Sequence, residues 1–332
     1  DHIRYNKIEA LRGRKRIMIL QTGQRTDIPA FYGQWFINRI KAGFVDVRNP
    51  YHPNQITRYM INHNIVDGIA FCTKNPLPFI QYLPYIADYR QYWHMTITPY
   101  GTDIEPYVPS YEQVINGFKT ISNGLNPQSM VWRYDPILIN HTYSVDFHCE
   151  SFYKMAKLLE GYTDTVVASY LDIYDKVLRN FPEGKRPPKD VQIRLMKNLV
   201  DIANQFGMTL KTCGEGDTFK CIGADTSGCL TIDCYERAWN VKLKVPKKRP
   251  ARPECNCYLH GDIGAYDTCS HFCRYCYANT NQHAVRINRN NHDPQSSLLI
   301  GHINPNDTIK ISCASKYSIP VQNSLFDPEF QG

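Results

Sequence analysis

The sequence has no apolar run that approaches the length needed to cross a bilayer. Its first residues, DHIRYNKIEALRGRKR, are basic, but the apolar run behind them is only Ile17–Leu20, too short for a signal-peptide core. Both absences lead us to expect a cytoplasmic protein with no membrane partner. A glycine-rich phosphate loop is missing too; Gly214-Glu215-Gly216 is too short to count, which argues against P-loop and dinucleotide-binding chemistry. No internal repeat or long low-complexity run is present. None of the 11 histidines stands at a convincing ligand spacing, and His271 and His292 read as structural or exposed. The charge excess is small: 38 Lys and Arg against 31 Asp and Glu give a net +7, which admits a phosphate-bearing partner without demanding one. The densest basic stretch, Lys242–Arg252, reads first as a Pro-broken, solvated linker, with a nucleic-acid contact strip as the functional alternative.

What the sequence has in excess is cysteine. Twelve occur in 332 residues, and ten of them fall between Cys213 and Cys313. A disulfide scaffold of secreted type is usually shorter and carries a signal peptide, so clustered cysteines here point to metal or redox chemistry. With 42% hydrophobic and 21% charged residues the chain is globular, long enough for one large domain or two ordinary ones.

Over the first two-thirds, short β-rich runs alternate with amphipathic helical segments. Strands are expected at Arg16–Leu20, Phe44–Val47, Ile65–Cys72, Tyr92–Thr98, Met130–Tyr134, Thr165–Tyr170 and Met208–Thr212. Helices are expected from Pro29 to Ala42 and over Pro76–Ala87, Tyr111–Asn123, Val145–Leu159 and Pro188–Phe206. This alternation predicts an α/β fold with a parallel sheet, specifically a (β/α) barrel or partial TIM-like barrel over residues 1–213. Segment 214–261 reads as a cysteine-containing loop region, and 262–332 as a cysteine loop that closes the barrel, followed by an irregular tail.

Polar residues recur at the expected strand ends, where barrels place their chemistry. Arg25 and Asp27 are candidate cofactor-binding residues, Arg as a bidentate carboxylate partner and Asp for an ammonium or hydroxyls, with a salt bridge or helix cap as the plainer reading. Asn75, Ser169 and Asp172 are further cofactor candidates. Lys74, Arg133 and Asp135 are the catalytic candidates, although Asn75-Pro76 is also simply a turn signal. Asp103 and Glu105 lie in a Pro-rich stretch and are expected to be exposed carboxylates.

The central feature is DIGAYDTCSHFCRYCYAN, Asp262–Asn279, with the spacing Cys269-x3-Cys273-x2-Cys276 and an aromatic residue, Tyr275, before the last cysteine. Chance would place such a triple in the chain only about 0.02 times. Three thiolates can hold three irons of a [4Fe–4S] cube and leave the fourth open to a ligand, as catalytic zinc sites keep an open position. This motif closely resembles the signature of the radical S-adenosylmethionine superfamily. The resemblance implies that Cys269, Cys273 and Cys276 hold a [4Fe–4S] cluster and that S-adenosylmethionine chelates the open iron, with Tyr275 beside the cofactor. It also implies that an electron donor such as flavodoxin or ferredoxin reduces the cluster, yielding a 5′-deoxyadenosyl radical that abstracts hydrogen from a substrate. Superfamily members normally carry this loop after the first barrel strand. Here it lies near the C-terminus, so Asp262–Tyr266 is expected to be the preceding strand, permuted to the end and paired beside Arg16–Leu20.

The whole chain also resembles a bacterial domain of unknown function whose members carry a C-terminal cluster of this type. The matching stretches are QRTDIPAFYGQWF, VRNPYHPNQ, CTKNP, VWRYDPIL, SYLDIYDK, ECNC and the cysteine motif itself. It supplies no substrate. Cys213, Cys229, Cys255 and Cys257 match cysteines of that family and are candidates for a second centre, either an auxiliary [4Fe–4S] cluster or zinc; ordinary thiols are the plain reading, and Cys221 or Cys234 could substitute as ligands. Cys72, Cys149 and Cys313 read as packing thiols. The leading expectation is a radical S-adenosylmethionine enzyme, with nucleic acid among its candidate substrates. Its rivals are a zinc-stapled nucleic-acid-binding module using Cys255, Cys257, Cys273 and Cys276, and an iron–sulfur electron carrier.

Overall fold

A computed structural model describes residues 18–243, 255–259, 261–312 and 318–320, the last three by backbone alone. The N-terminal basic stretch, most of Lys242–Arg252, Cys313 and the end of the tail lie outside the described residues. The strands are β1 (Ile19–Gln21), β2 (Phe44–Arg48), β3 (Gln55–Met60), β4 (Gly68–Thr73), β5 (Gln91–Thr96), β6 (Met130–Ile137), β7 (Thr165–Tyr170), β8 (Thr209–Thr212), β9 (Val241–Leu243), β10 (Thr308–Ile311) and β11 (Ser318–Pro320). The α-helices are α1 (Ile28–Phe31), α2 (Gly33–Ala42), α3 (Tyr111–Ser122), α4 (Val145–Leu159), α5 (Asp175–Asn180), α6 (Lys189–Gln205), α7 (Ile232–Trp239) and α8 (Gln282–Asn290).

Six strands form one all-parallel sheet in the order β1-β4-β5-β6-β7-β8. The two-residue alternation of strand side chains divides its faces. Leu20, Ile69, Phe71, Trp93, Trp132, Val166 and Ala168 pack with α2, α3, α4 and α6 in the main core. Ile19, Ala70, Tyr92, Val131 and Val167 point the other way and meet α7 through Cys234, Tyr235 and Ala238. Strands buried on both faces must be apolar on both, and the sequences of β4 and β7 are. The helices start where local chemistry says they should. Ser110 and Gln113 form a reciprocal capping box on α3, and Ser144 caps α4.

The α/β architecture matches expectation, but the sheet is not a closed barrel. Pairing extends past β1 to Asp262 and past β8 to Asp225, and no further among the described residues. Other expectations need correction. Phe44–Val47 is not a strand of the main sheet; β2 pairs antiparallel with β3, which in turn pairs parallel with β10. The helix expected over Pro76–Ala87 is a 3-10 segment, Leu77–Ile86; Pro84, inside it, lacks the N–H that an α-helix would use there, while Pro78 falls in the first turn where proline is tolerated. The helix expected from Pro29 breaks at Tyr32, whose φ of −133° ends α1 before α2 begins. Segment 214–252 is not all loop, since it contains α7 and β9.

The tail is more regular than its composition suggests. It forms α8 and β10, and its carbonyls are held by side chains of α2: Trp35 Nε1 donates to Ser296 O at 2.9 Å and Arg39 Nη2 to Gln295 O at 3.1 Å.

Two substitutions test this packing. A Cβ on Gly68 would overlap the indole of Trp239, which itself stacks on Tyr235 at 5.0 Å, so Gly68→Ala must push α7 off the sheet. We expect a loss of about 1–3 kcal/mol in urea unfolding. His148, buried on α4, accepts from the Tyr134 hydroxyl at 2.7 Å, and burial pushes its imidazole down to about 4. The unfolded chain, with a histidine pKa of about 6.5, then binds the proton more readily. Stability should therefore be flat above about pH 6.5 and fall by about 3 kcal/mol as pH drops towards 4, a slope that His148→Gln lacks.

Candidate metal centre

The sheet face that meets α7 turns polar towards the C-terminal ends of the strands. Two residues beyond the apolar Ile19, Ala70, Tyr92, Val131 and Val167 stand Gln21, Cys72, His94, Arg133 and Ser169 on the same face. The loop after β1 crosses close to this end. A Cβ on Gly23 would overlap the Cys72 carbonyl oxygen, so only glycine lets the loop pass.

The segment before the cysteine loop is fixed to β1. Gln21 N–H donates to Gly261 O at 3.2 Å, and Ile263 N–H donates to Gln21 O at 3.0 Å. The Asp262 segment thus lies parallel beside β1, but through a single isolated bridge; the strand expected over Asp262–Tyr266 does not form. Arg25 clamps this junction, its Nε paired with the Asp262 carboxylate and its Nη2 donating to Asp262 O at 2.8 Å.

The loop is then pinned along its length. Tyr32 OH donates to Thr268 O at 2.6 Å, and Asn279 Nδ2 donates to Cys269 O at 2.8 Å. Tyr32 leaves helical geometry at the point where its ring reaches the loop. Asp267 and Phe272 take left-handed backbone angles of 56° and 52°. Asp27 ties three elements together: Oδ1 caps α1 by accepting from Ala30 N at 3.0 Å, while Oδ2 accepts from Lys74 N at 2.7 Å and bonds His271 Nε2 at 3.0 Å. Both Asp27 oxygens are therefore engaged by the protein itself. His271 is buried, in keeping with a structural part.

Cys269, Cys273 and Cys276 are free thiols and keep partial solvent access. Burial is the largest influence on all three and pushes each pKa above its ordinary value. The neighbouring thiols of the loop raise Cys269 and Cys273 further. Cys276 Sγ accepts the Ala278 N–H at 3.3 Å, a bond that favours thiolate. Lys74 beside Cys273 acts in the same sense.

Lys74 sits below the loop. Its ammonium bonds Glu105 Oε1 at 2.9 Å and lies 5.5 Å from the centre of the Tyr275 ring. Burial pulls the ammonium's pKa down, but Glu105, Cys273 and Asp135 outweigh burial and the net shift is upward. The Tyr275 hydroxyl also donates to Glu105, and its ring packs among Ile104, Leu138 and Leu171. Glu105 is thus buried at 3% exposure, which corrects the expectation of an exposed carboxylate; Asp103, which is exposed, accepts from the Tyr143 hydroxyl at 2.7 Å.

Arg133, Asp135 and Ser169 meet on the inner face, the carboxylate taking one bond from each partner. The Arg133 guanidinium also lies 3.4 Å from His94 Nδ1 and 3.6 Å from Cys229 Sγ. Two expected residues lie off this centre. Asn75 accepts from Leu77 N at 3.2 Å, a local turn, and Asp172 sits at the rim 3.5 Å from Arg186.

The second set of cysteines also converges. Cys229 Sγ lies 3.5 Å from Cys213 Sγ and 3.3 Å from Cys257 Sγ, and Cys255 lines the same small cavity. The structure seats Cys255 and Cys257 with this pair, so the alternative set Cys255, Cys257, Cys273 and Cys276 is not the grouping formed. Cys234 instead accepts from Thr231 Oγ1 at 3.2 Å, and Cys221 is exposed. Among the described residues, no three His, Cys, Asp or Glu side chains stand in the arrangement of a formed metal site.

The loop's surroundings nonetheless fit a bound group. Gln24 Nε2, Thr26 Oγ1 and Asn279 Oδ1, all flanking the cysteine loop or the loop after β1, are buried without a hydrogen-bond partner. Buried polar atoms without partners are costly, and a polar ligand would satisfy them. Sequence reasoning missed Glu105, His94 and Tyr32. Only His94 left a signal, the Tyr92-Trp93-His94 alternation that places it on the inner face. No curated protein matches the chain. The family model described as domain of unknown function (DUF1848) matches residues 19–278, most of the chain, and the protein is a member of that family.

Proposed function

We propose that the protein is an iron–sulfur enzyme of the radical S-adenosylmethionine type, its cluster held by Cys269, Cys273 and Cys276. One observation carries the reading: three free thiols on one loop, pinned by Tyr32, Asn279 and Asp27 and set at the C-terminal ends of a parallel sheet by a segment that bridges to β1. The loop offers three sulfurs and no fourth, which leaves a cluster one open corner and disfavours a pure electron carrier. When bound, such a cluster with S-adenosylmethionine supplies one-electron chemistry that side chains lack. A reducing partner such as flavodoxin or ferredoxin belongs to this reading.

The chain's own residues hold and shield the site. Asp27 and His271 fix one flank of the loop, and Lys74, Glu105 and Tyr275 fix the other. We read Asp27, Arg25 and Tyr275 as positioning residues, because each is engaged by protein partners. Arg133, Asp135 and Ser169 present the charged, hydroxylic surface of the inner face and are the groups placed to orient a polar cofactor or substrate.

Anaerobically purified protein should be brown, contain iron and sulfide, and release 5′-deoxyadenosine from S-adenosylmethionine after dithionite is added; a colourless protein, or one that never cleaves the cofactor, contradicts the reading. Cys273→Ala should abolish product release while keeping unfolding stability within about 1 kcal/mol of the parent, because the loop lies over the sheet end rather than inside the main core. Glu105→Ala strands the buried Lys74 ammonium without its carboxylate. It should cost about 3–5 kcal/mol in urea unfolding and lower the iron retained, with Glu105→Gln intermediate.

A further inference from the structure

The four cysteines outside the loop come from three separate stretches: the end of β8, the approach to α7, and the segment 255–257. Their meeting has no local cause. Two sulfur–sulfur separations, 3.5 Å for Cys213 with Cys229 and 3.3 Å for Cys229 with Cys257, are contact distances. Around one tetrahedral ion with metal–sulfur bonds of about 2.3 Å, neighbouring thiolates stand about 3.8 Å apart. A cubane instead places each thiolate on its own iron corner, so its sulfurs stand well apart. The cavity between the four cysteines, about 10 Å³, agrees with the smaller occupant. That is about the room one water-sized atom needs. The rest of its wall is Thr212, Gly214, Gly216, Thr226, Gly228 and Asn256, with the buried Glu215, which is already paired with Arg186; beside four converging thiols, the neutral hydroxyl and amide oxygens are the poorer ligands for a zinc-like ion.

We infer that Cys213, Cys229, Cys255 and Cys257 bind a single tetrahedral zinc ion, distinct from the loop centre, that staples α7 to the sheet. The thiols now in contact open by a few tenths of an ångström as their protons leave to solvent and the metal enters. Four thiolates on a divalent ion leave a net double negative charge, and the Arg133 guanidinium, 3.6 Å from Cys229 Sγ, offsets part of it. Arg133 is held for this by Asp135 and His94, so the same side chain faces both the inner-face carboxylate and the staple. The staple's mechanical effect comes from its place. Cys229 and Leu230 lead into α7, and Tyr258 N–H donates to Leu230 O at 2.8 Å, so the ion locks the cover over Tyr92, Val131 and Val167.

The inference is independent of the radical reading, and its test separates the two. In the full chain carrying Cys269→Ser, Cys273→Ser and Cys276→Ser together, iron should vanish while about one zinc per chain remains. Replacing that zinc with cobalt should give the intense absorption of a tetrahedral thiolate site. Cys257→Ser or Cys229→Ser in the same background should lose the metal and speed proteolysis near α7, whereas Cys221→Ser and Cys234→Ser should retain it. Residual iron with sulfide in the triple variant would overturn the inference in favour of a second cluster, and a metal-free triple variant with four freely titrating thiols would overturn it outright. If the triple variant does not fold, the wild-type ratio decides: about four irons with about one zinc supports the staple, and about eight irons without zinc contradicts it.

Discussion

Two backbone hydrogen bonds decide where the three-cysteine loop of this chain sits. Gln21 makes them with Gly261 and Ile263, adding a parallel segment to the edge of β1 from the far end of the sequence. A parallel strand delivers the residues after it to the C-terminal end of the sheet, and here those residues are the cysteine loop. Arg25 reinforces the join through Asp262, and Tyr32 and Asp27 complete it a few residues further on. The loop has no helix or strand of its own, so its shape rests on this edge together with the side-chain bonds from Tyr32, Asp27, Glu105 and Asn279.

The same constraint explains the division of labour among buried charges. Asp27 and Glu105 are buried and Lys74, Arg133 and Asp135 half-buried; each would be costly alone, and each is paired or hydrogen-bonded. Lys74 with Glu105 supports the loop from below, and Arg133 with Asp135 lies between the loop's end of the sheet and the second group of cysteines. The sheet's other face carries no such burden and is filled by stacked aromatic rings, Phe71 on Trp93 at 4.0 Å and Trp132 on Phe152 at 4.5 Å. The paired charges and the aromatic stacks thus lie on opposite faces of one sheet, although both faces carry apolar packing.

Much of this was legible in the residues. Strand–helix alternation pointed to the parallel α/β order, the spacing of Cys269, Cys273 and Cys276 marked the loop, and the place beside β1 followed from what the superfamily resemblance implies about the segment before such a loop. The misses have physical causes. Phe44–Val47 is a genuine strand, but period-two patterning does not say which sheet a strand joins, and its partner Gln55–Met60 carries Arg58 and Gln55 on a half-exposed surface. Glu105 lies in a Pro-rich stretch that normally marks solvent, and only the long-range approach of Lys74 and Tyr275 buries it. Tyr32 breaks a helix that propensity alone would continue, because its hydroxyl reaches the Thr268 carbonyl. The tail became regular through carbonyls captured by Trp35, Asn38 and Arg39, contacts with no local signature.

The central claim is an open metal corner above the strand ends, held by three sulfurs. Electron paramagnetic resonance of the dithionite-reduced, anaerobically prepared chain tests it without needing the substrate. The account predicts the signal of a reduced [4Fe–4S] cluster whose line shape changes when S-adenosylmethionine is added, and which disappears when Cys269, Cys273 and Cys276 are replaced. A signal indifferent to S-adenosylmethionine, or one that persists without those three cysteines, would contradict it.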